Sequence, residues 1–248
     1  MVAKRGRLDR FISKACQISL RQVKPLLAQG QICVDGQWVS DAALQIDSFS
    51  TISCQGQLLQ ERQRVYRMLH KPVGVVSATE DPIHRTVLDL IDGPAIPGLH
   101  LAGRLDLNST GLMLLTNDGH WSKRLSAPET KVAKHYRVGV THPITPDYIQ
   151  AFAAGMYFEF EDSTTAPVIL TIVADRVADL VLTEGKYHQI KRMFGRMRNP
   201  VLSLHRFRIG GLYLNGGPDP DRTSPLATDL AEGQWRDLTE SELGLFSG

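Results

Sequence analysis

A short polar segment, residues 103–111, carries the acid that is best placed to do chemistry in this chain. It reads Gly-Arg-Leu-Asp-Leu-Asn-Ser-Thr-Gly, so Asp106 lies two residues after Arg104 and just before a run of small polar residues. A carboxylate in such a setting can act as a nucleophile or as a proton acceptor. It can also be a turn residue that hydrogen-bonds its own backbone, which is common in loops. Asp106 is therefore a candidate catalytic residue.

Calcium binding is a second chemistry that the same segment suggests. Asp106, Asn108 and Gly111 have the spacing of a calcium-binding loop. The twelfth position of that loop is Asn117, where a bidentate Glu is needed, and the second half of the segment is apolar. The calcium interpretation therefore fails, and we expect no metal at this site.

The segments on either side of Asp106 are typical of buried strands. Leu99 and Leu101 alternate before it, and the apolar run 112–115 follows it. Asp106 is thus expected on a loop held between two core elements, where reactive groups are often found. Further strands are predicted at 65–69, 135–140, 168–173 and 180–182, and in the second of these Tyr136, Val138 and Val140 alternate with the other residues. Helices are predicted at 145–155, with the apolar residues Ile149, Phe152 and Ala153, and around 190–197, with the apolar stripe Ile190, Met193, Phe194 and Met197. Adjacent strands with few helices between them favour an α+β fold with a mixed, mainly antiparallel sheet flanked by helices.

The first sixty residues have a different pattern. Apolar spacing predicts a helix over 7–16 and a second helix that begins after Ser19 and ends at Gly30. Pro25 falls inside the second helix, where it removes a backbone donor and should kink or shorten it. An Asp-Gly turn at 35–36 indicates a hairpin. The polar run 55–64 is expected to be a linker.

The charge of the chain is unevenly distributed although its formal net value is only +2. Residues 1–24 carry seven basic side chains against one acid, and residues 185–208 carry seven with none. Residues 219–242 reverse the balance, with seven acids against two arginines, and include an acidic loop of unknown role. Many charge runs only solvate a helix face. Two separate basic blocks on a nearly neutral chain favour a directed surface for a polyanion such as RNA.

Composition limits the class of protein further. A chain of 248 residues with 42% hydrophobic residues can bury one or two cores. The three cysteines are 17 and 21 residues apart, a spacing that forms neither a disulfide framework nor a zinc site. The sequence starts with charge but without an apolar signal segment, and no apolar run is long enough to span a membrane. We therefore expect a cytoplasmic protein in a reducing compartment.

The segment around Asp106 also resembles the signature of the pseudouridine synthases, in the RsuA-type branch. The resemblance extends in order along nearly the whole chain, which makes it specific. It is carried by Ser77-Ala78-Thr79-Glu80-Asp81-Pro82, Thr86-Val87-Leu88, Leu99-His100-Leu101-Ala102, Trp121-Ser122-Lys123-Arg124, Glu184-Gly185-Lys186-Tyr187-His188-Gln189-Ile190-Lys191-Arg192-Met193-Phe194, Leu204-His205-Arg206 and Ile209-Gly210-Gly211. These enzymes isomerise uridine to pseudouridine in RNA, a reaction that uses no redox cofactor, and we expect no cofactor here.

The resemblance implies roles for three residues. Asp106 corresponds to the catalytic carboxylate, Tyr136 to the tyrosine that stacks on the target base, and Lys191 to the cation that pairs with the carboxylate. Spacing alone would make Lys191 a phosphate-facing cation and Tyr136 a core aromatic. His188 and His205 are expected to be structural, as lone histidines often are.

The resemblance also implies domains and partners. Residues 1–60 look like an S4 RNA-binding domain, and residues 61–248 like the catalytic domain. The expected substrate is one uridine in 16S (small-subunit) ribosomal RNA, as free RNA or in an assembling particle, bound by a monomer. A large-subunit (23S) enzyme and a non-catalytic RNA-binding or ribosome-assembly protein are the alternatives. Residues expected to contact RNA are Arg7, Arg10, Lys14, Arg21, Arg104 and Arg192.

Overall fold

The chain forms two compact units that divide between Arg64 and Val65, four residues after the boundary expected from the sequence. The computed structural model describes residues 6–214 and 230–246; of the acidic segment expected over 215–233, residues 215–229 lie outside them. Mixed helices and a mainly antiparallel sheet confirm the α+β class. None of the helices in the described part of the chain is long and apolar enough to cross a membrane.

The first unit packs two short helices on small antiparallel sheets. Leu8, Phe11 and Ile12 of the first helix are buried, as the periodicity predicts. Ser19 forms a capping box with Gln22 at the start of the second helix. The helices are α1 (Leu8–Ala15) and α2 (Leu20–Ala28), and the strands are β1 (Gly6–Arg7), β2 (Ile32–Val34), β3 (Gln37–Trp38), β4 (Gln45–Ile46), β5 (Ile52–Cys54) and β6 (Gln57–Gln60).

Two sequence expectations for this unit are changed by the structure. Helix α2 runs through Pro25 to Ala28, because its cap and its buried apolar side chains stabilise it despite the lost donor. The predicted linker 55–64 is wrong, since β6 pairs with β5 inside it. A turn with positive φ at Gln55 and Gly56 joins these strands. The side-chain amide of buried Gln60 donates to two backbone carbonyls, so a polar residue serves the fold here.

The second unit is built on one large sheet. Its strands are β7 (Tyr66–Lys71), β8 (His100–Leu101), β9 (Thr110–Thr116), β10 (Lys134–Val140), β13 (Ile169–Ala174), β14 (Val177–Leu182), β15 (Val201–Ile209), β16 (Leu212–Tyr213) and β17 (Trp235–Asp237); β11 (Tyr157–Phe158) and β12 (Ser163–Thr164) form a separate pair. The order across the sheet is β13-β14-β10-β15-β9-β7-β17, with β16 paired to β15 and β8 to β9. Strands β9 and β15 are parallel, whereas the other pairs are antiparallel.

Helices flank this sheet, and those at 147–154 and 189–196 were predicted from the sequence, whereas those at 119–126 and 240–244 were not. The helices are α3 (Gly119–Ser126), α4 (Asp147–Ala154), α5 (Gln189–Arg196) and α6 (Glu240–Gly244). Ile190, Met193 and Phe194 of α5 are buried against the sheet. In α4, Tyr148 is buried with Phe152, whereas Ile149, expected to face inward, is 41% exposed.

The parallel contact between β9 and β15 depends on a glycine. Gly111 lies opposite Arg206 and has a φ of 114°, a conformation that side chains disfavour. A Cβ at Gly111 would stand 2.2 Å from the backbone oxygen of Arg206. The glycine at the end of the Asp106 segment therefore allows two strands to approach at the point where the loop carrying Asp106 joins the sheet.

Replacing Gly111 with Ala should lower the free energy of unfolding of the second unit by roughly 3–5 kcal/mol. The added Cβ would clash with the backbone of Arg206, and neither strand can move away without losing its pairing in the sheet. Urea unfolding measures this loss. The control is Gly119→Ala at the start of α3, where no atom lies within 4 Å of the added Cβ and φ is not positive. Equal stability of the two variants would contradict the packing argument.

Candidate active site

Asp106 is held between two cationic or ionisable side chains. Its Oδ2 lies 2.9 Å from Nζ of Lys191, and its Oδ1 lies 3.3 Å from Nε2 of His188. The carboxylate remains 28% exposed, so it faces the solvent of a cavity. The ion pair implied for Lys191 is therefore present in the geometry, and a second partner, His188, is added to it.

The cavity has the size and lining of a small-molecule site. Its volume is about 420 Å³, within the range of roughly 300–1,000 Å³ that is usual for such sites. Asp106, Lys191 and Tyr136 all line it. The apolar part of the wall is formed by Val76, Leu105, Leu107, Leu182, Ile190 and Leu204. The cavity thus offers a planar ligand an aromatic ring, apolar side chains and a charged carboxylate.

Backbone clamps fix the loop that carries Asp106. The Ser77 hydroxyl donates to the carbonyl of Leu105 at 2.6 Å and accepts from the amide of the same residue at 3.0 Å. The amide of Gly74 donates to the carbonyl of Leu107 at 3.0 Å. The carbonyl of Asp106 accepts from the amide of Ser109, which closes a tight turn. The loop is therefore a rigid mount for the carboxylate.

A buried lysine supports the same loop from the sheet side. Lys71, at the end of β7, is fully buried, and its Nζ donates to the carbonyls of Pro72, Leu107 and Ser109. Burial lowers the pKa of Lys71 to about 8; the nearby Asp106 carboxylate raises it, and the Arg206 and Lys191 cations lower it further. Lys71 thus binds the loop backbone, while Lys191 binds the carboxylate itself.

Lys71 should make stability depend on pH in a defined window. The unfolded chain keeps the proton up to its ordinary pKa of 10.5, whereas the folded chain releases it near 8. Between pH 8 and 10.5 the unfolded chain therefore binds more protons at Lys71 than the folded chain does. The free energy of unfolding should increase with pH over this range, by at most about 1.4 kcal/mol per pH unit. Urea unfolding of the wild type and of Lys71→Met at pH 7.5 and 9.5 measures it. The same pH dependence in both would contradict the assignment.

An arginine fixes the position of Tyr136. Arg206 is 3% exposed, and its guanidinium donates to the carbonyls of Leu112 and Arg104. One guanidinium nitrogen lies 3.5 Å from the Tyr136 hydroxyl. A register shift in the pairing of β10 with β15 leaves Phe207 unpaired and sets Tyr136 opposite Arg206. Bulges of this kind often re-aim side chains next to active sites.

The first turn of α5 presents both partners of Asp106. His188 precedes the helix in a left-handed conformation with φ 48° and ψ 32°. Lys191 lies three residues later, inside the first turn, and both side chains contact the Asp106 carboxylate. Ile190, between them, is buried and anchors the turn. The αL conformation at a non-glycine residue is uncommon and is often found at functional sites.

The structure separates the arginines that were expected to contact RNA. Arg104 is exposed and lines the cavity. Arg192 does not line it: its guanidinium lies 3.7 Å from the Phe158 ring and forms a two-pronged ion pair with Glu161, with Nη2 2.8 Å from Oε2. Arg206, counted in the second basic block, is buried and binds backbone carbonyls. The basic block 185–208 therefore contains both exposed cations and a buried cation that binds backbone carbonyls.

The basic residues of the first unit are exposed on its helices. Arg10 and Lys14 lie on α1 and Arg21 on α2, and all three are exposed. Arg7 is also exposed but pairs with Asp9, with 2.7 Å between Nη2 and Oδ2. Its charge is thus partly compensated within the unit.

Sequence reasoning missed four residues at or beneath the site: Lys71, Ser77, His188 and Arg206. Lys71 and Arg206 look like surface cations in a sequence, since nothing local shows that they are buried. His188 was expected to be structural, and only the left-handed turn before α5 brings it to Asp106.

Comparison with known proteins identifies the family to which the chain belongs. Residues 65–195 match the family model described as RNA pseudouridylate synthase. The chain is 47% identical over 238 residues to a protein of Pseudomonas aeruginosa named ribosomal small subunit pseudouridine synthase A, with 96% of this chain and 98% of that protein covered. It is 38% identical, with the same coverage, to the protein of that name from Escherichia coli. A crystal structure of a pseudouridylate synthase superposes with a TM-score of 0.67 at 34% identity, over 98% of this chain and 100% of that one. The chain belongs to the RNA pseudouridylate synthase family.

Proposed function

We propose that this enzyme isomerises one uridine of 16S (small-subunit) ribosomal RNA to pseudouridine, with Asp106 as the catalytic carboxylate. The observation that carries the proposal is the carboxylate clamped between Lys191 and His188 in a cavity that also presents Tyr136. The names of the relatives at 47% and 38% identity support the small subunit as the source of the RNA.

The reaction breaks the bond between the sugar C1′ and N1 of the base, turns the base, and joins C1′ to C5. One proton leaves C5 and one is gained at N1, so the process is balanced without a co-substrate. Asp106 acts either by attacking the sugar or by taking a proton from it, and both routes begin from the ionised carboxylate. The ammonium of Lys191, 2.9 Å away, compensates the charge of the carboxylate when a bound base excludes water.

Tyr136 is proposed to hold the target base. The target uridine must leave its stack to reach Asp106, which costs on the order of a few kcal/mol. A half-buried ring whose hydroxyl lies near the Arg206 guanidinium offers a fixed stacking surface for the extruded base. The ring also separates the cavity from the apolar core beneath it.

Tyr136→Phe should keep stacking and lose only the hydroxyl, so it should retain most of the single-turnover rate. Tyr136→Leu should lower the rate much more, by about 5- to 100-fold, since a stacking surface is lost. Single-turnover assays on the same RNA measure both. If all three proteins behave alike, Tyr136 does not stack on the base.

The first unit is proposed to act as an S4-type RNA-binding domain, and the enzyme to work as a monomer in the cytoplasm. Exposed cations on α1 and α2, namely Arg10, Lys14 and Arg21, support an RNA-facing surface. Arg104, and also Arg192 and Arg7 despite their acidic partners, remain proposed RNA contacts. Phosphate contacts of this kind give affinity and orientation but read no sequence, so the choice of uridine must come from RNA shape and unpaired bases.

The substrate is tested by incubating the purified enzyme with 16S transcript, 23S transcript and small-subunit particles, followed by mapping of pseudouridine. We expect one modified uridine in 16S RNA and none in 23S RNA. Modification of the particle only would identify an assembling ribonucleoprotein as the substrate. Modification of 23S RNA alone would overturn the small-subunit assignment, and binding without any modification would favour a non-catalytic RNA-binding protein.

A further inference from the structure

An aromatic ring stands in solvent at the rim of the active-site cavity. Tyr187 is 74% exposed although it lines the cavity that contains Asp106. Its ring is stacked on the ring of His188, with centroids 3.9 Å apart and planes inclined by 19°. Because His188 covers one face, the exposed surface lies on the other face and the ring edge. An aromatic residue in this state contributes little to the core, so folding does not account for it.

The position of this ring is fixed relative to the reacting carboxylate. His188, on which Tyr187 rests, also contacts Asp106 through Nε2 at 3.3 Å. The left-handed backbone of His188 turns its ring toward the cavity while the chain enters α5. A chain of contacts therefore leads from the rim to the carboxylate, from Tyr187 to His188 and from His188 to Asp106.

Hydrogen bonds hold the segment from which Tyr187 projects. The Glu184 carboxylate accepts from the side-chain amide of Gln189 at 2.7 Å and from the backbone amide of Ala166 at 2.8 Å. The side-chain oxygen of Gln189, which is 3% exposed, accepts from the backbone amide of Lys186 at 3.0 Å. The Lys186 ammonium donates to the Ser163 hydroxyl at 2.6 Å. The segment is thus anchored on both sides of Tyr187 before any substrate arrives.

The charge around the ring suits a nucleotide. Arg104, Lys186 and Lys191 line the same cavity as Tyr187. Glu184 lines it too, but its carboxylate already accepts the two hydrogen bonds from Gln189 and Ala166. An exposed aromatic face beside fixed cations is the arrangement by which proteins bind single-stranded nucleotides, with the base on the ring and the phosphate near the cations.

We propose that the Tyr187–His188 stack is the binding subsite for the base of a nucleotide that flanks the target uridine in the RNA. The inference rests on the proposed function and adds to it a second, non-reacting base. Because every base has an aromatic face, a flanking base of any kind can stack on Tyr187 and add to the affinity. The stacked base also fixes the position of the neighbouring flipped uridine relative to Asp106.

The test is a saturation curve of single-turnover rate against the concentration of a short RNA that contains the target uridine. Tyr187→Ala should raise the half-saturating RNA concentration by about 5- to 100-fold, while the rate at saturation changes much less. Tyr187→Phe should resemble the wild type, since the face is kept. The matched control is Tyr157→Ala, an exposed tyrosine that does not line the cavity. Unchanged thermal midpoints show that the variants are folded.

Abasic RNAs then locate the partner base. Each nucleotide that flanks the target is replaced in turn by an abasic one. At one flanking position, the abasic RNA should raise the half-saturating concentration of the wild type as much as Tyr187→Ala does with intact RNA. With that abasic RNA, Tyr187→Ala should cause no further rise. Independent losses at every flank, or equal losses in Tyr187→Phe and Tyr187→Ala, would overturn the subsite. If the wild type forms no pseudouridine in RNA, the proposed function fails and the subsite with it, whereas wild-type turnover with an unaltered Tyr187→Ala curve overturns the subsite alone.

Discussion

Asp106→Asn should abolish isomerisation and leave RNA binding nearly intact. The substitution keeps the size and shape of the side chain but removes the charge that Lys191 and His188 contact. An amide is neither a useful nucleophile nor a proton acceptor, so we expect the single-turnover rate to fall on the order of 10⁴-fold, the upper end of what one acid–base group contributes. Affinity should change little because phosphate contacts elsewhere dominate binding.

The design separates a loss of chemistry from a loss of fold. The matched control is Asp175→Asn, an exposed acid between β13 and β14 whose side chain is 74% exposed. It should turn over like the wild type. Rate and RNA affinity are measured for both variants on the same substrate. Residual turnover near that of the wild type in Asp106→Asn would remove Asp106 from its proposed role.

Lys191→Met should damage turnover far more than RNA binding. Its ammonium lies 2.9 Å from the Asp106 carboxylate, and no other cation in the described part of the chain is paired with that oxygen. Without it, a carboxylate enclosed by a bound base has lost the cation that compensates its charge. We expect a loss in rate on the order of 10²-fold or more. Lys191→Arg, which keeps the charge, should restore part of it.

Arg196→Ala is the contrast on the same helix. Arg196 is exposed on α5, and its guanidinium donates to the backbone carbonyl of Tyr157 at 2.8 Å. Its loss should weaken RNA binding and reduce the salt slope by about one unit, with a near-normal rate at saturation. RNA binding measured against salt concentration and single-turnover rates measured at saturation distinguish the two variants. Matching profiles for Lys191→Met and Arg196→Ala would contradict an active-site ion pair.

Periodic apolar patterns predicted much of the fold because they report burial directly. The stripe formed by Ile190, Met193 and Phe194 predicted both α5 and its inner face, and alternation predicted the strand that carries Tyr136. The pattern failed where polar residues serve the fold. Strand β6 was taken for a linker because Gln60, buried and bonded to backbone carbonyls, looks like a surface residue in a sequence.

The sequence predicts which carboxylate of the site is the candidate reacting group, but it does not predict the residues that support it. Asp106 is marked by its segment and by the family resemblance, whereas the buried cations Lys71 and Arg206 depend on strands that are distant in sequence. The contact of His188 with Asp106 depends on a left-handed turn that no periodicity encodes. A sequence can show which side chains are candidates for chemistry. The hydrogen bonds that hold those side chains in position depend on the tertiary structure.

The most direct test of the account is a map of pseudouridine in the ribosomal RNA of cells that lack this protein. We predict that one position of 16S RNA changes from pseudouridine to uridine while the 23S map stays the same. Expression of the wild type should restore that position, and expression of Asp106→Asn at an equal level should not. An unchanged 16S map, or restoration by Asp106→Asn, would contradict the claim that this enzyme modifies small-subunit RNA through Asp106.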